Sequence, residues 1–249
     1  MRIASWTAAL LTGLGLSGAA RAQTIGVVDA PCAAVSAMPL TARQVADFGG
    51  LCRYETENAR LPPATRDRVV FFGDSITELW KLLDFGFFTN DLIDRGVSGQ
   101  TTSQMLLRFQ ADVIDLHPRA VQIMAGTNDI AGNTGPTSIP RIEANIRAMV
   151  ELAKAHHIKV LLASIPPTTR FPWNPGIEPV ASIQTLNVWL RDYAHREGLM
   201  YVDYYSALED DQHGFKAALS KDGVHPNKDG YAVMRPIAQA AIDQVRGGW

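Results

Sequence analysis

Five short runs with strand character, each followed by a stretch with helical spacing, constrain the fold more than any other property of this sequence. The runs cover residues 68–72, 92–97, 120–125, 159–164 and 200–203. The helical stretches cover 76–83, 102–116, 139–156, 179–197 and 227–245. Strands separated by helices need crossover connections, so they run parallel, and a parallel sheet requires helices over both faces. Val69, Val70, Phe71 and Phe72 do not alternate with polar residues, the pattern of a strand buried on both sides. The expected architecture over residues 68–249 is one α/β domain, a three-layer α/β/α sandwich on a five-stranded parallel sheet. A chain of 249 residues can bury such a core without staples.

In sheets of this kind the binding crevice lies beyond the carboxyl ends of the strands. Four motifs fall there or just beyond: Gly73-Asp74-Ser75, Gly96-Val97-Ser98-Gly99, Gly126-Thr127-Asn128-Asp129 and Asp222-Gly223-Val224-His225-Pro226. Singly they are weak, since Ser75 or Thr77 is equally well placed to cap the next helix, and Asp three residues before His describes many surface turns. Together they supply the parts of acyl transfer: Ser75 as nucleophile, His225 as the base that takes its proton, Asp222 as the carboxylate that orients the imidazole. Activity is then expected to rise with pH as the base loses its proton. A tetrahedral intermediate also needs hydrogen-bond donors, and the backbone N–H groups of Ser75 and Gly99 with the Asn128 amide can provide three. Asp74 is expected to hydrogen-bond its own turn and Asp129 to brace the loop around Asn128. His156 and His157 end a helix, where imidazole suits the dipole, and His117, His195 and His213 have no partner legible in the sequence.

The four blocks, in this order across residues 68–245, resemble those of the SGNH hydrolase superfamily, also called the GDSL esterases and lipases. Its name lists the Ser, Gly, Asn and His that stand here as Ser75, Gly99, Asn128 and His225. The resemblance implies a flavodoxin-like sandwich, a Ser75–His225–Asp222 triad and an oxyanion hole from the Ser75 and Gly99 amides with Asn128. It also implies a carboxylic ester hydrolase with no metal and no organic cofactor. The first block reads GDSI where the family tetrapeptide has Leu, a conservative difference. The G-x-S-x-G elbow of the α/β-hydrolases is missing, so Ser75 is not expected on that type of strained turn.

Residues 165–179, IPPTTRFPWNPGIEP, are too rich in Pro and Gly for a helix and are expected to reach over the site. Arg170, Phe171 and Trp173 would form a wall there, an aromatic platform suited to a sugar ring or aryl group, although anchoring the loop explains the aromatics equally well. The expected activity is hydrolysis of short, acetyl-type esters on a small molecule or carbohydrate. A lysophospholipase, a thioesterase or a broad arylesterase of the same superfamily is the alternative. From another class, a non-catalytic flavin- or glycan-binding module could share the scaffold, but no Gly-rich dinucleotide fingerprint follows the first run.

Ahead of the domain, Arg2, the apolar stretch 6–16 and Ala20-Arg21-Ala22 read as a signal peptide over residues 1–22, cleaved before Gln23. The stretch is shorter than the roughly 20 residues a bilayer span needs, so no stable membrane anchor is expected after cleavage. A periplasmic or secreted location follows. In an oxidising compartment Cys32 and Cys52, the only cysteines, are expected to form a disulfide; closing a loop of about 20 residues contributes about 3 kcal/mol in the chain-entropy model. Two thiols alone make a poor metal site. Residues 23–67 form an N-terminal extension. Its 23–38 segment reads as a surface strand or loop, and Thr41 with Gln44 as a capping box before a helical face of Val45, Phe48, Leu51 and Cys52. Pro62 and Pro63 mark the entry to the domain. With a net charge of −2 and no basic run interleaved with aromatics, nucleic acid is not an expected partner.

Overall fold

A computed structural model of the chain describes residues 30–89 and 91–248; the expected signal segment lies outside the described residues. Every expected strand forms within two residues of its expected ends: β1 Val69–Gly73, β2 Leu92–Gly96, β3 Ala120–Met124, β4 Lys159–Ala163 and β5 Met200–Val202. All pair in parallel, in the flavodoxin-like order β2-β1-β3-β4-β5. Because β1 has β2 on one side and β3 on the other, the chain leaves it in opposite directions, and a crevice opens at the carboxyl ends of β1 and β3. Gly73 stands in register with Gly96 and Met124, so the segments after these three strands meet at one edge.

One face of the sheet is covered by α5 (Thr102–Asp112), α7 (Ile139–Ala155) and α8 (Val180–Arg196), the other by α4 (Ser75–Leu83), α9 (Tyr205–Leu208) and α10 (Lys228–Arg246). A short α6 (Thr127–Ile130) follows β3. Along β1, Val70 and Phe72 enter the first core and Val69 and Phe71 the second, which is why the strand shows no polar alternation. The 102–116 stretch ends as a helix at Asp112 and closes with a 3₁₀ turn over Ile114–Leu116, reversing the chain before Pro118.

Three packing features fix the turn at Ser75. A Cβ on Gly96 would come within 2.2 Å of the Glu78 nitrogen, so glycine is what lets α4 lie directly on the end of β2. Below α4, the fully buried Trp80 stacks on Tyr231 with ring centroids 5.4 Å apart, and the Tyr231 hydroxyl donates to the Ile76 carbonyl at 2.7 Å. Arg108, also fully buried, donates to the Gly73 and Arg95 carbonyls, each at 2.9 Å, and pairs with Asp112 at 3.0 Å. It thus ties the ends of β1 and β2 together from beneath.

The extension departs from expectation. Residues 31–36 form a helix, α1 (Pro31–Ser36), instead of a surface strand or loop; proline is favoured at a first helical position and the segment is alanine-rich. The expected capping box is not made: α2 (Leu40–Ala46) has Pro39 at its N-cap and no side-chain cap. No continuous apolar face forms either, because Gly49 and Gly50 break the pattern, and Val45, Phe48 and Leu51 are 81%, 47% and 46% exposed. The anchor is Tyr54 instead. It precedes α3 (Glu55–Arg60), lies buried between the Arg53 and Arg95 guanidiniums, and donates to the Gly96 carbonyl. A disulfide joins Cys32 to Cys52, and residues 32–67 of the extension belong to the compact unit Cys32–Trp249.

Candidate active site

Ser75 opens α4, and its hydroxyl lies 2.9 Å from His225 Nε2. It does not cap the helix. Asp74 does, with Oδ1 accepting from the Ile76 N–H at 2.9 Å, so Ser75 Oγ is left to the imidazole. On the other side of the ring, His225 Nδ1 is 2.7 Å from Asp222 Oδ2. The three residues separated by up to 150 positions in sequence thus form one hydrogen-bonded line.

The loop before α10 holds that line. Asp222 Oδ1 accepts from the Val224 N–H at 2.9 Å and the His225 N–H at 2.8 Å, while Ser220 Oγ donates to the His225 carbonyl at 2.7 Å. Asn227 then caps α10 by accepting from the Asp229 and Gly230 N–H groups. Partial burial pushes the Asp222 carboxyl upward, but the backbone N–H and imidazole of His225 and the Val224 N–H outweigh it and hold the group at about 2. The carboxylate is therefore charged at neutral pH and keeps a proton on Nδ1, which leaves the Nε2 lone pair for the Ser75 hydroxyl.

Donors for an oxyanion gather beside Ser75. Its own N–H belongs to the first turn of α4, where backbone donors have no intrahelical partner. Gly99 has φ +78°, a conformation that suits glycine, and neither its N–H nor that of Ser75 is taken by an acceptor among the described residues. The Asn128 amide is buried next to them. Its Nδ2 donates to Asp74 Oδ2 and to the Gln100 carbonyl, both at 3.1 Å, so a substrate oxygen would have to share those hydrogens. Asp129 braces this loop from the side, accepting from the Thr102 N–H at 2.8 Å and hydroxyl at 2.6 Å, and burial raises its carboxyl.

Of the three residues expected to form a wall in the loop after β4, Trp173 is the one that reaches the site. This indole is 47% exposed, and its ring centroid lies 6.2 Å from that of His225. Phe171 is fully buried beneath it, packed with Ala131 and Val224, so it anchors the loop instead of lining a wall. Arg170 is exposed, its carbonyl accepting from Thr168 Oγ1 at 2.8 Å. Away from these contacts, His213 pairs with Glu209, a partner four residues back in the loop after α9.

Asn133 escaped the sequence reading. Its Nδ2 donates to Asn128 Oδ1 at 2.8 Å and the Gly99 carbonyl at 3.1 Å, and its Oδ1 accepts from Trp173 Nε1 at 3.0 Å. One exposed amide thereby links Trp173 to the loops that carry Gly99 and Asn128. The only available signal was its place five residues after Asn128, which has no chemical meaning until the loop is folded. A groove of about 730 Å³ opens beside Gly99, bounded by Phe48 and Asp47 from the extension and by Asn133 and Trp173.

A family model described as GDSL-like Lipase/Acylhydrolase family matches residues 71–233, which contain Ser75, Gly99, Asn128, Asp222 and His225. The fold is similar to that of a protein of Bacteroides fragilis NCTC 9343 proposed as an acylhydrolase, with 45% identity, TM-score 0.78, and 80% of this chain and 98% of that one covered. A GDSL-like lipase of Bacteroides thetaiotaomicron VPI-5482 is 43% identical with TM-score 0.77, covering 79% of this chain and 98% of its own. In sequence, 80 residues, 30% of this chain, are 40% identical to the uncharacterized lipoprotein YqeF of Bacillus subtilis (strain 168), and they span 33% of that protein.

Proposed function

The chain belongs to the GDSL-like lipase/acylhydrolase family of the SGNH superfamily and is a carboxylic ester hydrolase, and from that premise we propose that it is an exported serine esterase removing acetyl-type groups from carbohydrate. The observation that carries this reading is the line Ser75 Oγ to His225 Nε2 at 2.9 Å and His225 Nδ1 to Asp222 Oδ2 at 2.7 Å.

In the proposed reaction Ser75 Oγ attacks the ester carbonyl carbon while its proton passes to His225 Nε2. The carbonyl oxygen becomes an oxyanion facing the Ser75 and Gly99 N–H groups and the Asn128 amide, donors fixed before the charge develops. Collapse breaks the bond to the alcohol oxygen, which takes the proton from Nε2 and departs, leaving an acyl group on Ser75. Water then attacks the acyl carbon, His225 takes its proton, and the second tetrahedral intermediate releases the acid and returns the proton to Ser75. Asp222 stays ionised throughout and stabilises each imidazolium.

The substrate class rests on the groove. Gln44, Asp47, Ser98, Asn133 and Asn174 stand in it among the apolar Phe48, Val97, Ala131 and Trp173, and a long acyl chain would leave those five polar groups without hydrogen-bond partners. Trp173 at its edge offers an apolar face of the kind that receives a sugar ring. Export is supported by the Cys32–Cys52 disulfide and by similarity to a lipoprotein.

The test compares hydrolysis of p-nitrophenyl acetate, butyrate and octanoate with acetate release from acetylated xylan, in the wild type and Ser75→Ala. A loss on the order of a hundredfold or more in the folded variant, with acetate preferred, is the expected result. Equal rates in both proteins would remove Ser75 from the reaction, and a preference for octanoate would move the substrate to lipids or thioesters.

A further inference from the structure

We propose that the disulfide-closed extension is itself part of the substrate site: Phe48, together with Trp173, forms a subsite for a sugar ring on the alcohol side of the ester. The inference rests on the carbohydrate reading above and adds to it a preference for acetyl groups on an oligosaccharide over those on a small alcohol.

Phe48 is exposed but not free. Its carbonyl accepts from Gln104 Nε2 at 2.9 Å, and the next carbonyl, of Gly49, accepts from Gln100 Nε2 at 2.9 Å. Asp47 folds back on the same turn, accepting from the Leu51 and Cys52 N–H groups at 2.8 and 3.0 Å. The Cys32–Cys52 bond then closes the loop that carries all three residues. An aromatic ring whose backbone is held this firmly while 47% of it stays in solvent is not core packing, and the task of anchoring the extension already falls to Tyr54. Large exposed apolar side chains on a fixed frame beside a catalytic constellation are what a ligand site provides.

The frame leads to the oxyanion donor from two directions. Gln100, which holds the extension, follows Gly99 directly, and Asn133, which holds Trp173, donates to the Gly99 carbonyl. Both aromatic residues line the 730 Å³ groove that starts at Gly99. An acetyl group fills a small part of such a volume, so the groove takes the other half of the ester. Its mix of two aromatic faces with carboxylate and amide groups matches a sugar, which presents apolar C–H faces and equatorial hydroxyls. The extension lies before the residues matched by the family model, so Phe48 brings to the subsite a segment outside the shared catalytic blocks, while Trp173 lies within them.

Phe48→Ala and Phe48→Trp are compared with wild type on acetylated xylotetraose and on p-nitrophenyl acetate, with KM and kcat separated. The expected result is a fall of about five- to tenfold in the ratio of the two kcat/KM values for Phe48→Ala, carried by KM for the oligosaccharide, and recovery of the ratio in Phe48→Trp. An unchanged ratio in Phe48→Ala, with the wild type active on both substrates, overturns the subsite and leaves the carbohydrate reading intact. A fall that Phe48→Trp does not recover, or one carried by kcat alone, also overturns it, because loss of the loop's structure would do the same. A wild type active on p-nitrophenyl acetate but inert on the oligosaccharide rejects the carbohydrate reading itself, and the subsite with it.

Discussion

The buried carboxylate of Asp74 accepts a hydrogen bond from the Asn128 amide at 3.1 Å, and this bond joins the Ser75 turn after β1 to the loop after β3. Burial pushes the Asp74 carboxyl up to about 6, against the pull of the Ile76 N–H and of His225. A folded-state value above the unfolded one means the folded protein binds the extra proton. Its contribution to stability is complete below about pH 4 and is lost as pH rises through about 6. Asp74→Asn should flatten this part of the stability profile between pH 4 and 7, measured by urea unfolding. It also sets an amide against the Asn128 donor or the Ile76 N–H, costing about 1–3 kcal/mol at neutral pH. A variant with the wild-type slope would show that Asp74 does not titrate in this range.

Asp222 works in the opposite direction. Held at about 2, it contributes stability that is present above about pH 4 and lost as pH falls through about 2. Asp222→Asn should lower kcat by ~10²- to 10⁴-fold on p-nitrophenyl acetate, because an amide no longer holds the required tautomer of His225. Its acid unfolding below pH 4 should be less steep than that of the wild type, followed by circular dichroism. Retention of activity within about tenfold would mean the imidazole is oriented by something else.

The elements and the site were legible to different depths. Val69–Gly73 could be read because burial on both faces leaves an unbroken apolar run, its fellow strands because they alternate with helical stretches, and Ser75, Gly99, Asn128, Asp222 and His225 because each sits at a strand end or in a loop with a recognisable block. The extension could not. Its periodic apolar residues Val45, Phe48 and Leu51 satisfy a helical spacing that the chain does not use, since Gly49 and Gly50 end the pattern and Tyr54 takes over the packing. Asn133 was invisible for another reason: its three partners, Gly99, Asn128 and Trp173, come from three different loops, and no local pattern announces such a meeting.

Arg108 is a structural support whose loss should be severe. The fully buried guanidinium holds two strand-end carbonyls, the Gln100 side chain and the Asp112 carboxylate. Arg108→Met leaves that carboxylate buried without its cation, held only by the Asn58 amide among the described residues, and should destabilise the fold by about 3–5 kcal/mol in urea titrations. A cost below about 1 kcal/mol would show that water or a rearranged side chain replaces the guanidinium.

Asn133 and Trp173 should behave as one unit. Asn133→Ala removes the donor to the Gly99 carbonyl and frees the indole, and Trp173→Phe removes the indole's bond to Asn133 Oδ1 from the other side. Each change is expected to lower kcat/KM by about tenfold, and the double variant by much less than the product of the two, a coupling of about 0.5–3 kcal/mol. Strict additivity would mean that the two side chains serve the site separately.

The disulfide should protect the extension more than the sheet. Cys32–Cys52 closes a loop with a separation of 20 residues, and the chain-entropy model gives such a bond about 3 kcal/mol. The loop meets the rest of the molecule through the Phe48 and Gly49 carbonyls, while the core lies in the two layers around the sheet. Opening the bond therefore raises the population of a locally unfolded extension before it lowers the stability of the whole domain. In Cys32→Ser/Cys52→Ser, trypsin should cut at the exposed Arg43 faster than in the wild type, while the urea midpoint followed by Trp fluorescence shifts by a smaller equivalent free energy. Oligosaccharide turnover should fall further than p-nitrophenyl acetate turnover in the same variant, since Phe48 leaves the groove when the loop opens. Equal protease sensitivity in the two proteins would show that the glutamine contacts hold the extension without the disulfide.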